Sequence, residues 1–115
     1  MNTDPNCIFC KIIAGQIPCK KAFENDVLLA FHDINPWAPV HVLVIPKQHI
    51  KTLSDVGPEH VALLGRMLAT APQLMRELGV ENGFRTVVNT GPDGGQEVYH
   101  LHMHVMGGPR PWNKG

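Results

Sequence analysis

The chain has little cysteine, no surplus of charge of either sign, and no long apolar run. Its three cysteines, Cys7, Cys10 and Cys19, are odd in number and too few for a disulfide framework. Ten basic residues balance ten acidic ones, which removes the electrostatic footprint expected of a protein that binds long nucleic acid. No apolar stretch approaches the roughly 18 residues that a membrane helix needs. Met1-Asn2-Thr3-Asp4-Pro5 lacks the basic start and apolar stretch of a signal peptide. With 43% hydrophobic and 17% charged residues in 115, the chain is too apolar to remain disordered. The expectation is one cytoplasmic domain over residues 1–115, with a short extension at 1–6, a tail at 109–115, and neither nucleic acid nor membrane as partner. What is abundant is histidine, with seven residues.

Hydrophobic periodicity outlines an α+β domain. Residues 7–14 read as a short helix with Ile8, Phe9, Ile12 and Ile13 on one face and Gly15 as its stop. Lys20 to Glu24 and Val27 to His32 form a hairpin across Asn25-Asp26, and His41 to Ile45 is a β-branched strand ended by Pro46. Pro36-Trp37-Ala38-Pro39 between them is a rigid loop. A long amphipathic helix is expected from Gly57-Pro58 to Gly79, with a kink or break near residues 68–71 because Pro72 removes a hydrogen bond. Strands over Arg85 to Asn89 and Tyr99 to Met106 complete the order β-β-β-α-β-β, which implies a mostly antiparallel five-stranded sheet.

Chemistry concentrates in His100-Leu101-His102-Met103-His104-Val105-Met106. On a strand, alternate side chains share a face, so the three histidines point one way while Tyr99, Leu101, Met103 and Val105 point into the core. Successive imidazoles then stand about 6.6 Å apart, and about 13 Å end to end. One metal ion could take two of them but hardly three, so the row implies divided roles. Imidazole can act as nucleophile, acid, base or ligand near neutral pH. The preceding loop, Thr90 to Gln96, carries Gly91, Gly94 and Gly95 and could present backbone N–H groups to a phosphate, with Asn89 at its entry. Cys7-Ile8-Phe9-Cys10 could be a metal half-site, a redox pair or two buried small hydrophobes.

These residues resemble the histidine triad (HIT) family, in particular its nucleotide-binding (Hint) branch. The resemblance rests on His100 to Met106, on Gly94-Gly95-Gln96-Glu97-Val98-Tyr99 before it, and on Gly107-Gly108 after it. Ile8 to Ile13, Ala30 to Ile34, Ala38-Pro39-Val40-His41 and Val44 to His49 add to it. A Fhit-like continuation would place an arginine directly after the triad, where this chain has Gly107-Gly108. The resemblance implies a HIT-like fold, a homodimer with joined sheets, and hydrolysis of purine nucleoside phosphoramidates and acyl-adenylates. By that analogy His102 attacks the α-phosphorus and carries a nucleotidyl group, so activity should fall as acid protonates it. His104 and His41 support charge and proton transfer. Asp33 and Ile34 meet the ribose, and Ile8, Phe9, Ile12, Phe31 and Leu43 line the base pocket. Asn89, Gly95, Gln96, Glu97 and Val98 surround the phosphate. Glu97 departs from eukaryotic members, which have serine there, and is expected to offer only its backbone N–H. The resemblance further implies a structural zinc held by Cys7, Cys10, His49 and His100, and no cofactor for catalysis. Trp112 in the tail is a candidate substrate contact. His32, His60 and Cys19 are expected to be structural. The rival reading is a purine-nucleotide- or zinc-binding interaction module with little catalysis.

Overall fold

A computed structural model describes residues 3–113, so residues 1 and 2 of the N-terminal extension and 114 and 115 of the tail lie outside the described residues. Helix α1 (Ile8–Ile13) is followed by strands β1 (Lys21–Glu24), β2 (Leu28–His32) and β3 (Val40–Pro46), helix α2 (Val61–Glu77), and strands β4 (Phe84–Val87) and β5 (Met103–Gly107). The five strands form one antiparallel sheet in the order β1-β2-β3-β5-β4. At the first hairpin the Asn25 side chain accepts the N–H groups of Val27 and Leu28 at 2.9 and 2.8 Å, which closes the turn that its sequence suggests.

Both faces of the sheet are covered, and the alternation of side chains sorts the chain into two layers. Leu28, Ala30, Val42, Val44, Met103 and Val105 pack under α2 against Met67, Ala71, Leu74 and Met75. Leu29, Phe31, Leu43 and Ile45 pack under α1 against Phe9, Cys7 and Cys10. Because Leu43 pairs with His104 and His41 with Met106, the histidines of β3 and β5 stand on the α1 face.

Three expectations need correction. Helix α2 runs unbroken through Pro72, and a separate 3-10 turn, Pro58–His60, precedes it. Proline there costs the bond to the Leu68 carbonyl, but Leu68 lies at the surface, where water can replace that donor, while Ala71, Leu74 and Met75 anchor the helix on either side. The last strand begins at Met103, not Tyr99. Its partner β3 ends at Pro46, which has no N–H to give, and Leu101 N–H instead reaches the Ile50 carbonyl at 2.7 Å. The alternation survives across this irregular stretch, since Leu101 joins the α2-side core while His100 and His102 stay on the other face. Tyr99, expected in the core, is 41% exposed because it lies before that registered segment.

Candidate functional site

Three imidazoles meet on the α1 face. His102 lies 5.1 Å from His104 between ring centroids, and His104 lies 5.1 Å from His41. Each has a defined hydrogen-bond role. The Nδ1 of His102 sits 2.7 Å from the His100 carbonyl oxygen, which only a protonated nitrogen can satisfy, so Nδ1–H donates and Nε2 keeps its lone pair. The Trp37 backbone N–H donates to Nδ1 of His41 at 3.0 Å, which places the His41 proton on Nε2. That proton faces Nδ1 of His104 at 2.9 Å, so neutral His104 carries its own proton on Nε2. Asp33 accepts the Asn35 N–H at 2.8 Å and approaches His41 Nε2 at 3.5 Å.

Burial pushes His41, His102 and His104 below the usual imidazole range; for His104, with His102 and His41 as further causes, the value is about 4. All three are therefore neutral at pH 7. As pH falls through the unfolded value near 6.5, the unfolded chain takes up a proton that folded His104 refuses until about 4. His104, together with the neighbouring imidazoles that share its shift, thereby destabilises the fold progressively as pH falls toward 4. Melting curves between pH 7 and pH 4 for the chain and its His104→Gln variant test this: the variant gains relative stability as acid is added. A constant difference between the two would contradict it.

Phe9 meets His102 edge-on at 5.2 Å and Phe31 at 5.5 Å, and with Leu43, Ile12 and Val98 it forms an apolar wall beside the histidines. Ile8 stands outside this cluster at the surface, and Ile34 is 91% exposed on the loop after β2. In the glycine loop the N–H groups of Gly95 and Gln96 are taken by the Pro92 and Gly91 carbonyls, so neither is available as the free donor expected of it. Buried Gln96 ties the loop together, accepting Gly91 N–H and donating to the Lys51 and Val98 carbonyls. Asn89 braces it through the Gly94 carbonyl at 2.8 Å. Glu97 and Val98 follow this loop, and Val98 packs on the apolar cluster beside the histidines.

A second cluster lies directly behind the first. The thiols of Cys7 and Cys10 and the imidazoles of His49 and His100 place one ligand atom each within 4.8 Å of one another. His100 Nδ1 is 3.3 Å from Cys7 Sγ, 3.6 Å from Cys10 Sγ and 3.1 Å from His49 Nδ1. Four donors at about 2.0–2.3 Å from one tetrahedral ion stand about 3.3–3.8 Å apart, so this set fits zinc closely. The far nitrogens agree: His100 Nε2–H donates to the Pro46 carbonyl at 2.8 Å, and His49 Nε2 faces Asp4 at 3.8 Å. Burial pushes the Cys10 thiol up and, as the first cause, His100 down to about 4, so metal binding must displace the Cys10 thiol proton but finds His100 already neutral. Asp33, His41 and His104 form another close group, but a metal at His41 Nε2 would drive its proton to Nδ1, against the Trp37 N–H. That group suits proton transfer better than ligation.

Residues 6–114 match the family described as "Scavenger mRNA decapping enzyme C-term binding". A HIT family hydrolase from Legionella pneumophila superposes with a TM-score of 0.89 at 48% identity, covering 91% of this chain and 95% of that one. The chain belongs to the HIT family. Among its HIT relatives, the purine nucleoside phosphoramidase of Escherichia coli (strain K12) is 47% identical over 102 residues, 88% of this chain and 86% of the relative. A zinc-bound histidine triad protein from Mycobacterium smegmatis has a TM-score of 0.78 at 35% identity, covering 89% of this chain and 74% of that one. One residue that sequence reading passed over is Trp37, whose ring stacks on His104 at 5.9 Å and 16°. Its only signal was its place in the proline-flanked loop before His41.

Proposed function

We propose that this HIT protein hydrolyses the P–N bond of purine nucleoside phosphoramidates, and related acyl-adenylates, through a nucleotidyl group carried on His102. The observation that carries the reading is the 2.7 Å bond from His102 Nδ1–H to the His100 carbonyl, which leaves a neutral imidazole with Nε2 ready to attack. Attack forms a bond from Nε2 to the α-phosphorus and breaks the bond to the amine, which leaves with a proton taken from solvent. Water then attacks phosphorus, the bond to Nε2 breaks, and AMP departs with His102 restored. His104, holding a proton on Nε2, and the N–H groups of Glu97 and Val98 supply positive field for the phosphate oxygens. Asp33 accepts ribose hydroxyls, and Phe9, Ile12, Phe31 and Leu43 take the base, with Ile8 and Ile34 at its rim. The phosphoramidase named among the relatives supports this substrate class.

Zinc at Cys7, Cys10, His49 and His100 belongs to the same reading, supported by the donor geometry and the zinc-bound relative. When bound it would fasten α1 to the segment carrying His102. A homodimer joining two sheets fits with β4 as an outer strand whose Phe84 is 41% exposed. A cytoplasmic setting accords with three free cysteines and with no helix of the described residues being long and apolar enough to cross a membrane.

Turnover of an AMP–amine phosphoramidate by the purified chain tests the reading, and tight AMP binding without turnover would favour the interaction module instead. Gly94 offers a second check. A Cβ there would strike the Thr90 carbonyl oxygen and lie 2.8 Å from the Thr90 nitrogen, so Gly94→Ala must displace the loop. AMP affinity, read by calorimetry, is expected to fall on the order of ten-fold, with melting little changed; unaltered affinity would remove this loop from the phosphate site.

A further inference from the structure

The loop between β2 and β3 is held on both sides. Toward the site, the Trp37 N–H donates to His41 Nδ1 at 3.0 Å, and its ring stacks on His104 and meets His41 edge-on at 5.8 Å and 68°. Away from the site, the Asn113 N–H donates to the Trp37 carbonyl at 2.8 Å, and its side-chain amide donates to the Pro36 carbonyl at 3.0 Å. The tail is itself fixed, with Trp112 Nε1–H on the Gly108 carbonyl at 3.0 Å and the Arg110 guanidinium 4.3 Å from the Trp112 ring centroid. A continuous set of contacts therefore joins the end of the described chain to the histidine pair.

We infer that Trp37, latched by Asn113, is a positioning residue that keeps His41 in its Nε2–H tautomer and so keeps the His104 proton on Nε2. The inference rests on the proposed role of His104 and His41 in hydrolysis. The chemistry is one of exclusion. Neutral imidazole has one N–H, and an amide donor aimed at Nδ1 forces that proton to Nε2. The same amide opposes a second proton at Nδ1. The titratable groups facing His41 are Asp33, at 3.5 Å from Nε2, and His104, at 2.9 Å; both contact Nε2, so neither sets the tautomer from the Nδ1 side. Among the described residues the Trp37 N–H does that, and its position depends on a loop whose outer carbonyls are tied to the tail.

Nitrogen NMR of the full chain reads the tautomer directly and needs no turnover. Three variants separate the parts: Asn113→Pro removes both tail bonds, Trp37→Gly removes the ring, and Trp37→Phe keeps an aromatic ring and the backbone donor. Wild type and Trp37→Phe are expected to show His41 protonated at Nε2 alone. Asn113→Pro is expected to show mixed protonation at the two nitrogens, and so is Trp37→Gly, which keeps the backbone N–H but loses the ring stacked on His104 that holds the loop on the site side. Their kcat should fall on the order of ten-fold with KM held within about two-fold, the loss expected of a slightly misplaced catalytic pair. His41 remaining wholly Nε2–H in both variants would overturn the inference, even if they melt lower. An absence of turnover in wild type would instead sink the proposed hydrolysis and leave the tautomer result standing.

Discussion

Replacing His102 with alanine is expected to lower kcat for an AMP–amine phosphoramidate on the order of 10⁴-fold or more. The size follows from what is lost. The substitution deletes the imidazole of the site whose Nδ1 is committed to a carbonyl, at 2.7 Å, which leaves the opposite nitrogen to attack. His104 cannot substitute, because its Nδ1 is occupied by His41 and its Nε2 holds the proton. AMP affinity should stay within about five-fold of wild type, since the apolar wall of Phe9, Phe31 and Leu43 and the loop amides remain. Stopped reactions of the wild type with labelled substrate should trap a nucleotidyl group on the protein, absent in the variant. Residual kcat within ten-fold of wild type would exclude His102 as the nucleophile.

The second large effect concerns the metal. Protein purified without a tag is expected to hold about one zinc per chain, and Cys10→Ser or chelation should lower the melting temperature by about 10 °C or more. Two thiols and two imidazoles gathered within 4.8 Å in a buried position have no better use than a shared cation. Activity should decline with it, because the His100 carbonyl that orients His102 belongs to a residue of the metal set. Zinc below about 0.2 per chain, with melting unmoved by chelator, would mean that the cluster is packing alone.

Much of this was legible in the residues, and the limits have physical causes. Alternation in Leu101, Met103 and Val105 foretold which face is core, since a period of two persists even where ladder bonds do not. Ladder bonds depend on the partner strand, so the late start of β5 at Met103 could not be read without knowing that Pro46 stands opposite. The glycines at 91 and 95 announced a turn, and both have positive φ. Which amides that turn consumes depends on where Gln96 buries its side chain. Pro72 predicted a kink or a break from a local rule, and packing of α2 on the sheet kept the helix continuous. The Trp37 contacts join residues 37, 41, 104 and 113, a spread no window of sequence covers.

The contact between Cys7 and His100 spans 93 positions of the chain. Closing so long a loop carries a large entropic cost that local structure cannot offset in advance. Helix α1, six residues long and too short to persist alone, packs on β2 and β3 through Phe9, but its thiols meet His100 only once that distant segment is placed. The four-donor cluster is thus expected to close after the packing of α1 on β2 and β3. Until that segment arrives, Phe9 lacks its edge-on neighbours His100 and His102, and the sheet alone holds the helix.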